Sequence, residues 1–103
     1  MRFKIKTILA VLLAVIPATY ALAGDAEVGK KLTVQHGCVG CHGSSGISYG
    51  PLWPNLAGQK APYIESQLKL FRSGERKDPM MKLYATPLAD KEITDLASYY
   101  ASL

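Results

Sequence analysis

The sequence predicts an all-α fold of three main helices joined by long loops. Two observations support this prediction: apolar residues recur every three or four positions in three separate segments, and no segment alternates apolar with polar residues as a half-buried strand does. A chain of this size also buries too little surface to be very stable alone. We therefore expect a metal, a disulfide or a bound cofactor to stabilise it.

The first 23 residues have the pattern of a cleaved secretory signal peptide. Three basic residues precede an unbroken apolar run over residues 8–16, and the small-residue site 21-ALA-23 follows. As a helix the apolar run rises only about 14 Å, which is too short for the roughly 30 Å hydrocarbon core of a bilayer. We predict cleavage after Ala23, one domain over residues 24–103, and export without stable membrane insertion.

Removal of this segment changes the charge balance. The whole chain has 12 basic and 8 acidic residues, a formal charge of +4, whereas residues 24–103 have nine basic and eight acidic residues, a formal charge of +1. This near-neutral domain gives no basis for nucleic-acid binding. Residues 60–82 nevertheless carry six basic and three acidic side chains. They form either an ordinary solvated surface or a docking patch for an acidic partner.

Each predicted helix has recognisable start or stop residues. The first covers about residues 26–36, with Asp25 as its N-cap. The second covers about residues 62–73 and has proline at its first position. The third covers about residues 90–102 and has an apolar face. It follows Ala89, which cannot cap a helix with its side chain, and this weakens the predicted helix start.

Two long loops, at residues 43–59 and 75–87, connect the predicted helices. The first is rich in Gly, Pro and Ser and contains Trp53, and the second contains Met80 and Met81. Compact domains rarely contain such loops unless something orders them. A large, flat, apolar cofactor would order both loops and cover apolar side chains that three short helices cannot bury.

The segment 36-HGCVGCHG-43 contains the only two cysteines of the chain, Cys38 and Cys41, with His42 directly after them. The pattern C-x-x-C-H is the attachment signal of c-type haem, in which two thiols bond to two vinyl groups and the histidine binds iron. Zinc needs four ligands, and the cysteines with either His36 or His42 provide three. A thioredoxin-like switch needs strands, and a plain disulfide does not account for His42. His36 is expected to be an exposed residue at a helix end.

These residues resemble the class I c-type cytochromes, in particular the small single-haem bacterial proteins of the c-553, c-five and c-four kind. The resemblance covers essentially all of residues 24–103. It implies a small class I cytochrome c fold wrapped around one covalently bound haem. It also implies a periplasmic location, since c-type haem is attached beyond the bacterial inner membrane. The segments that carry it are CVGCH, PNLAGQ, PYIESQLKLFRSGER, DPMM and ADKEITDLASYYASL.

The resemblance also implies roles for single residues. Cys38 and Cys41 would hold haem c through thioether bonds, and His42 would bind its iron. The carbonyl of Pro54, twelve residues after His42, would accept a hydrogen bond from the other ring nitrogen of His42 and orient the ring. Pro51 is the competing residue for this contact.

The second axial ligand implied by the resemblance is a methionine. In related sequences it stands seven residues before the leucine that precedes the last helix, here Leu88, and this selects Met81. Met80 is the second choice and would otherwise fill a gap in the core. Trp53 and Tyr63 are expected to pack against the haem.

An iron with histidine and methionine on its two axial sides has no open position for a substrate. The predicted function is therefore a soluble one-electron carrier, not an enzyme, that docks briefly with redox protein partners near an exposed haem edge. One alternative is a haem enzyme or gas sensor, in which the methionine is displaced by a small ligand. Another is a dedicated electron-transfer subunit of a larger complex.

Overall fold

A computed structural model describes residues 2–15 and 24–103 of the 103-residue chain. Residues 2–15 have no regular secondary structure and are exposed. The predicted cleavage site at residues 21–23 lies outside the described residues. None of the helices formed by the described residues combines the length and the apolar character that crossing a bilayer requires.

The described residues form helices and no strand, which confirms the all-α prediction. Three of the helices, α1, α3 and α5, begin and end within one residue of the predicted bounds. The short helix α2 contains the last four residues of the C-x-x-C-H motif. The bounds are Ala26–Gln35 for α1, Val39–His42 for α2, Ala61–Ser73 for α3, Pro79–Ala85 for α4 and Asp90–Ala101 for α5.

Helix α4 lies within residues 75–87, which the sequence analysis interpreted as a loop. Asp78 caps its start, because the Asp78 carboxylate accepts a hydrogen bond from the backbone N–H of Met81 at 3.0 Å. Pro79 occupies the first helical position, where a missing N–H has no consequence. The pair Asp78-Pro79 is thus a helix-start signal that the loop interpretation overlooked. As a result Met80 and Met81 lie on a helix.

Helices α1 and α5 pack closely at Gly29. A Cβ atom at position 29 would collide with the backbone carbonyl of Asp95 and would lie 2.8 Å from the Cβ of Tyr99. Only glycine lets the two backbones come this close. The α1–α5 pair is therefore in close backbone contact at this position and forms one side of the core.

The core lies between α1, α3 and α5 and contains two apolar clusters. Ile93, Leu96 and Ala97 of α5 are 0%, 1% and 0% exposed. Cys38 and Leu68 are partly buried and pack against both clusters, so the attachment motif begins in the core. The buried members are Leu32, Leu88, Ile93 and Leu96 in one cluster and Ile64, Ala97, Tyr99 and Tyr100 in the other.

The loop at residues 43–59 is held in place by backbone hydrogen bonds. The Leu56 N–H donates to the Gly46 carbonyl at 2.8 Å, which closes the loop on itself. The Gly58 N–H donates to the Tyr100 carbonyl at 2.8 Å, which fixes the loop to the end of α5. This loop forms one wall of the cavity described below.

The start of α5 is capped by a residue within the helix. Ala89 offers no side-chain acceptor to the first turn, as expected. The Glu92 carboxylate accepts a hydrogen bond from the Ala89 N–H at 3.1 Å, which is one half of a capping box. The half that a serine at position 89 would supply is missing.

Candidate functional site

A cavity of about 470 Å³ lies among α2, α3, α4, α5 and the loop at residues 43–59. Its volume is in the range of roughly 300–1,000 Å³ that is usual for cofactor and small-molecule sites. Most of its lining is apolar or aromatic. The cavity brings together the residues that the sequence analysis preferred for site roles, and Met80 as the second choice for the thioether ligand. They are Cys38, Cys41, His42, Trp53, Pro54, Tyr63, Met80 and Met81.

The short helix α2 aligns the three residues of the attachment motif. The His42 N–H donates to the Cys38 carbonyl at 3.1 Å and closes one helical turn. Residues three and four positions apart lie on the same side of a helix. Cys38, Cys41 and His42 are therefore presented together, and all three line the cavity.

His42 is buried, at 8% exposed, and its ring is held by one hydrogen bond. Its Nδ1 atom lies 2.9 Å from the carbonyl oxygen of Pro54. Because a carbonyl oxygen can only accept, this contact selects the neutral tautomer with the proton on Nδ1, which leaves the Nε2 lone pair that a metal ion requires. The same contact restricts rotation of the ring. Pro51, the competing residue, does not line the cavity.

Cys38 and Cys41 do not form a disulfide with each other, and both are partly buried. Burial raises the pKa of the Cys38 thiol, against a smaller opposite effect of a backbone hydrogen bond. Within residues 2–15 and 24–103, no group of three or more His, Cys, Asp or Glu side chains is arranged to hold a metal ion.

Met80 and Met81 both line the cavity, but they differ in exposure. Met80 is 56% exposed, whereas Met81 is half-buried. Successive side chains on a helix are rotated by about 100°, so the two thioethers point in different directions. Met81 is the more enclosed sulfur donor.

The donors of this cavity fit a covalently attached haem. Two thiols three residues apart match the two vinyl groups, and an imidazole with a free Nε2 and a thioether are the axial donors of a His/Met haem. The apolar lining suits the faces of a porphyrin. The fit therefore extends to the attachment groups, the iron ligands and the surroundings of the ring.

Tyr100 also lines the cavity, although sequence reasoning did not select it. It is 2% exposed, and among the described residues its hydroxyl is the buried side-chain polar atom without a hydrogen-bond partner. Burial raises the pKa of the Tyr100 phenol far above its usual value, and the nearby Cys38 and Tyr99 add to this effect. In the sequence, Tyr100 is one more residue of an apolar helix face, so no signal distinguishes it.

The mouth of the cavity is bordered by exposed apolar side chains and by basic residues. Leu52 and Met80 line the cavity, yet they are 87% and 56% exposed. A shallow depression on the neighbouring surface is lined in part by Lys77 and Lys82, which belong to the basic segment at residues 60–82. Apolar and positively charged groups therefore lie side by side at this surface.

His36 does not line the cavity. Its Nε2 lies 2.7 Å from a carboxylate oxygen of Glu92, and its side chain is only 19% exposed. The expectation of an exposed residue was therefore wrong, because this contact between α1 and α5 half-buries the ring. The Ala89 N–H and, secondly, the His36 ring hold the pKa of the Glu92 carboxyl below its usual value.

The sequence and the structure of the chain were compared with known proteins. The chain matches the family model of cytochrome c over residues 26–103. It is 43% identical over 83 residues to cytochrome c-554(548) of Halomonas halodenitrificans, a match that covers 78% of this chain and 98% of that protein. It is 43% identical over 79 residues to cytochrome c4 of Thiocapsa roseopersicina, covering 77% of this chain and 40% of that protein.

The structure is similar to the solved structure of cytochrome c4 from Acidithiobacillus ferrooxidans. The TM-score is 0.72 at 34% sequence identity, and the match covers 79% of this chain and 51% of that chain. The chain thus spans nearly the whole length of the cytochrome c-554(548), but only 40% and 51% of the two cytochrome c4 chains.

Proposed function

Because the chain belongs to the cytochrome c family, whose members are electron-transfer haem proteins, we propose that it is a periplasmic one-electron carrier with a single haem c. In this proposal Cys38 and Cys41 would attach the haem, and His42 and Met81 would bind its iron. The observation that carries the proposal is that these four side chains line one apolar cavity.

When bound, the haem supplies an iron that changes between the ferrous and the ferric state. The residues of the chain determine how readily it does so. The thioether of Met81 is a neutral, soft donor that favours the ferrous state and raises the potential. The hydrogen bond from His42 Nδ1 to the Pro54 carbonyl makes the imidazole a stronger donor and fixes its orientation. The apolar lining keeps water away from the site.

The same ligands explain why we propose a carrier and not an enzyme. If His42 and Met81 both bound the iron, they would leave no coordination position for a substrate. The half-buried position of Met81 and the cap that Asp78 provides to its backbone N–H support a ligand that stays in place. A side chain held in this way keeps the surroundings of the iron similar in both oxidation states.

We propose that residues 1–23 are removed during export and that the mature domain is 24–103. The basic, apolar and small-residue order of the first 23 residues supports this proposal. Packing at Gly24 supports it as well, because a Cβ atom there would collide with the Thr94 carbonyl and lie 2.5 Å from the Ser98 hydroxyl oxygen. Residue 24 thus already packs against α5, directly after the proposed cut.

The proposed partners are redox proteins with an acidic surface. The exposed Leu52 and Met80 at the cavity mouth provide an apolar contact, and Lys77 and Lys82 beside it provide positive charge. Redox encounters of this kind usually bury less than about 1,200 Å², which permits rapid dissociation. Charge at such a surface mainly increases the association rate, and added salt weakens this effect.

The first test is the visible spectrum of the protein exported by a bacterial host that attaches c-type haem. It should be paired with a haem-stained denaturing gel, with His42→Ala as a control. We expect haem that stays attached after denaturation, a sharp reduced α band and the weak near-red ferric band of a sulfur–iron bond. The control should not accumulate a correctly ligated protein.

Two other results would contradict parts of the proposal. Covalent haem without the ferric sulfur band, together with rapid binding of carbon monoxide by the reduced protein, would indicate an enzyme or a gas sensor. A colourless protein would exclude the haem proposal. The cysteines would then form a disulfide or bind another metal.

A further inference from the structure

One cationic side chain lines the cavity and forms no ion pair within the part of the chain that the structure describes. Among the described residues that line it, Arg76 and Asp78 are the only Arg, Lys, Asp or Glu side chains. The Asp78 carboxylate caps α4 by accepting the Met81 N–H at 3.0 Å. Arg76 therefore places a positive charge on the wall of an otherwise largely apolar site.

The turn that ends α3 directs Arg76 towards the cavity. Gly74 adopts a φ of +84°, and both the Gly74 N–H and the Arg76 N–H donate to the Leu70 carbonyl, at 3.1 and 3.2 Å. This glycine-dependent turn folds the chain back along α3. The Arg76 guanidinium carbon then lies 4.5 Å from the centre of the Phe71 ring, and Nη1 donates to the Gln67 side-chain oxygen at 2.6 Å.

Arg76 has no carboxylate partner within the part of the chain that the structure describes, where the ion pairs involve other residues. Its bond to Gln67 uses one of the five N–H donors of a guanidinium. Arg72, four residues earlier, is different: it donates to the Asp90 carboxylate at 2.6 Å and to the Leu88 carbonyl at 2.8 Å. The guanidinium of Arg76 is thus positioned by neutral contacts and retains donors for an anion.

We infer that Arg76 binds a carboxylate of the haem propionate groups. The inference rests on the proposed function and adds to it a charge contact within the same site. The propionates are the anionic groups of haem c, and a planar guanidinium can donate two parallel hydrogen bonds to a carboxylate. Stacking on Phe71 and the bond to Gln67 hold the guanidinium ready before the anion arrives, which reduces the entropy lost on binding.

The test is the midpoint potential of the holoprotein. A positive charge near the iron favours the ferrous state, so Arg76→Gln should lower the potential. We expect the ferrous-to-ferric ratio at a fixed applied potential to fall about three- to tenfold, since the charge lies near a partly desolvated site; tenfold corresponds to about 59 mV for one electron. Arg76→Lys keeps the charge and should restore most of the potential.

Lys77→Gln is the matched control, because it removes the same charge from the next residue; both side chains are exposed, but only Arg76 lines the cavity. We expect it to change the ratio by less than about twofold, because Lys77 lies outside the cavity wall, where solvent separates its charge from the site and screens it. Equal changes of the ferrous-to-ferric ratio in Arg76→Gln and Lys77→Gln would overturn the inference.

A second measurement uses the wild-type protein and does not depend on a variant that folds. In proton NMR of the ferrous holoprotein, the Arg76 guanidinium protons should show Overhauser contacts to the propionate methylene protons. The Arg76 signals are identified by their loss in Arg76→Lys. Absence of these contacts would overturn the inference and leave the carrier proposal intact, whereas a wild-type protein without covalent haem would contradict the proposed function itself.

Discussion

The backbone N–H of Asp25 donates a hydrogen bond to the carboxylate of Asp95 at 2.8 Å, across 70 positions of the sequence. Asp95 is 2% exposed and also accepts a hydrogen bond from Lys91 Nζ at 2.8 Å. Burial by itself would raise the pKa of the Asp95 carboxyl, but the hydrogen bonds from Asp25 and Lys91 outweigh it and lower the pKa. A charged, buried carboxylate thus joins the start of α1 to α5.

Asp95 should make the domain sensitive to acid. Its folded pKa is lowered, so it contributes stability above the unfolded pKa, about 3.9, and this contribution is lost as the pH falls through and below that value. Asp95→Asn should reduce the free energy of unfolding at pH 7 by about 1 kcal/mol or more. It should also flatten the dependence of stability on pH between 5 and 3. Urea unfolding at several pH values measures both effects.

The control for this experiment is Glu75→Gln, which neutralises an exposed carboxylate in the loop after α3. It should leave the stability at pH 7 within about 0.5 kcal/mol of wild type. If the free energy of unfolding of Asp95→Asn fell between pH 5 and 3 as steeply as that of wild type, the acid sensitivity would not come from Asp95.

Gly29 and Gly40 should respond in opposite ways to the same substitution. Gly29→Ala places a methyl group against the Asp95 carbonyl and should reduce the free energy of unfolding by about 1–3 kcal/mol or more. Gly40→Ala meets no atom within 4 Å and should be neutral or stabilising by up to about 1 kcal/mol, because alanine favours a helix. Thermal unfolding of both variants measures the difference. Tolerance of alanine at position 29 would contradict the close α1–α5 approach.

The adjacent tyrosines of α5 form a second matched pair. The Tyr99 hydroxyl donates to the Ser44 carbonyl at 3.1 Å, whereas the Tyr100 hydroxyl has no partner within the described chain. Tyr99→Phe should therefore cost about 1 kcal/mol of unfolding free energy, and Tyr100→Phe should be neutral or stabilising. Denaturant unfolding of the holoproteins compares them. A loss of more than about 1 kcal/mol in Tyr100→Phe would reveal a hydrogen bond to the haem or to a bound water.

Ala89→Ser should stabilise the domain by completing the capping box of α5. Residue 89 has φ −75° and ψ 159°, which suits an N-cap residue, and Glu92 already accepts the residue-89 N–H. We expect a gain of about 1 kcal/mol, which in a domain of this size corresponds to roughly 4–8 °C in the melting temperature. Ala101→Ser, at the other end of α5, is the control and should give no gain. Equal melting temperatures of Ala89→Ser and wild type would contradict this prediction.

The two methionines should be distinguished by their spectra. Met81→Ala should keep the haem attached but remove the ferric sulfur–iron band, lower the potential and allow carbon monoxide to bind. Met80→Ala should change these properties much less, because Met80 is the more exposed residue and points in a different direction. The larger spectral change in Met80→Ala would reverse the ligand proposal.

Local patterns predicted most of the helices and the attachment motif. C-x-x-C-H lies within one helical turn, so the three side chains converge wherever the rest of the chain goes. The apolar periodicity of α1, α3 and α5 similarly needs no knowledge of tertiary contacts. Helix α4 was missed although its signal, Asp78-Pro79, is local, because the density of polar residues and proline around it favoured a loop.

Other features depend on contacts between distant segments, and no local pattern encodes them. The contact of His36 with Glu92 joins residues 56 positions apart. The same glutamate also accepts a hydrogen bond from the Ala89 N–H at the start of α5. Arg76 counted in the sequence only as one charge of a basic segment. Its position on the cavity wall follows from the turn at Gly74 and from the ring of Phe71, which only the folded chain brings together.

The close contact of α1 with α5 has a consequence for the order in which the domain folds. Closing a loop of the 70 positions between Asp25 and Asp95 costs on the order of 4 kcal/mol in chain entropy, whereas α2 needs only a single local turn. The α2 turn can therefore form early, and the α1–α5 contact forms late. Until α5 closes, Cys38 is not covered by Leu96 and Tyr100, with whose clusters it packs in the finished fold. The Cys38 thiol is thus accessible before the domain has folded and becomes enclosed as the last helix docks.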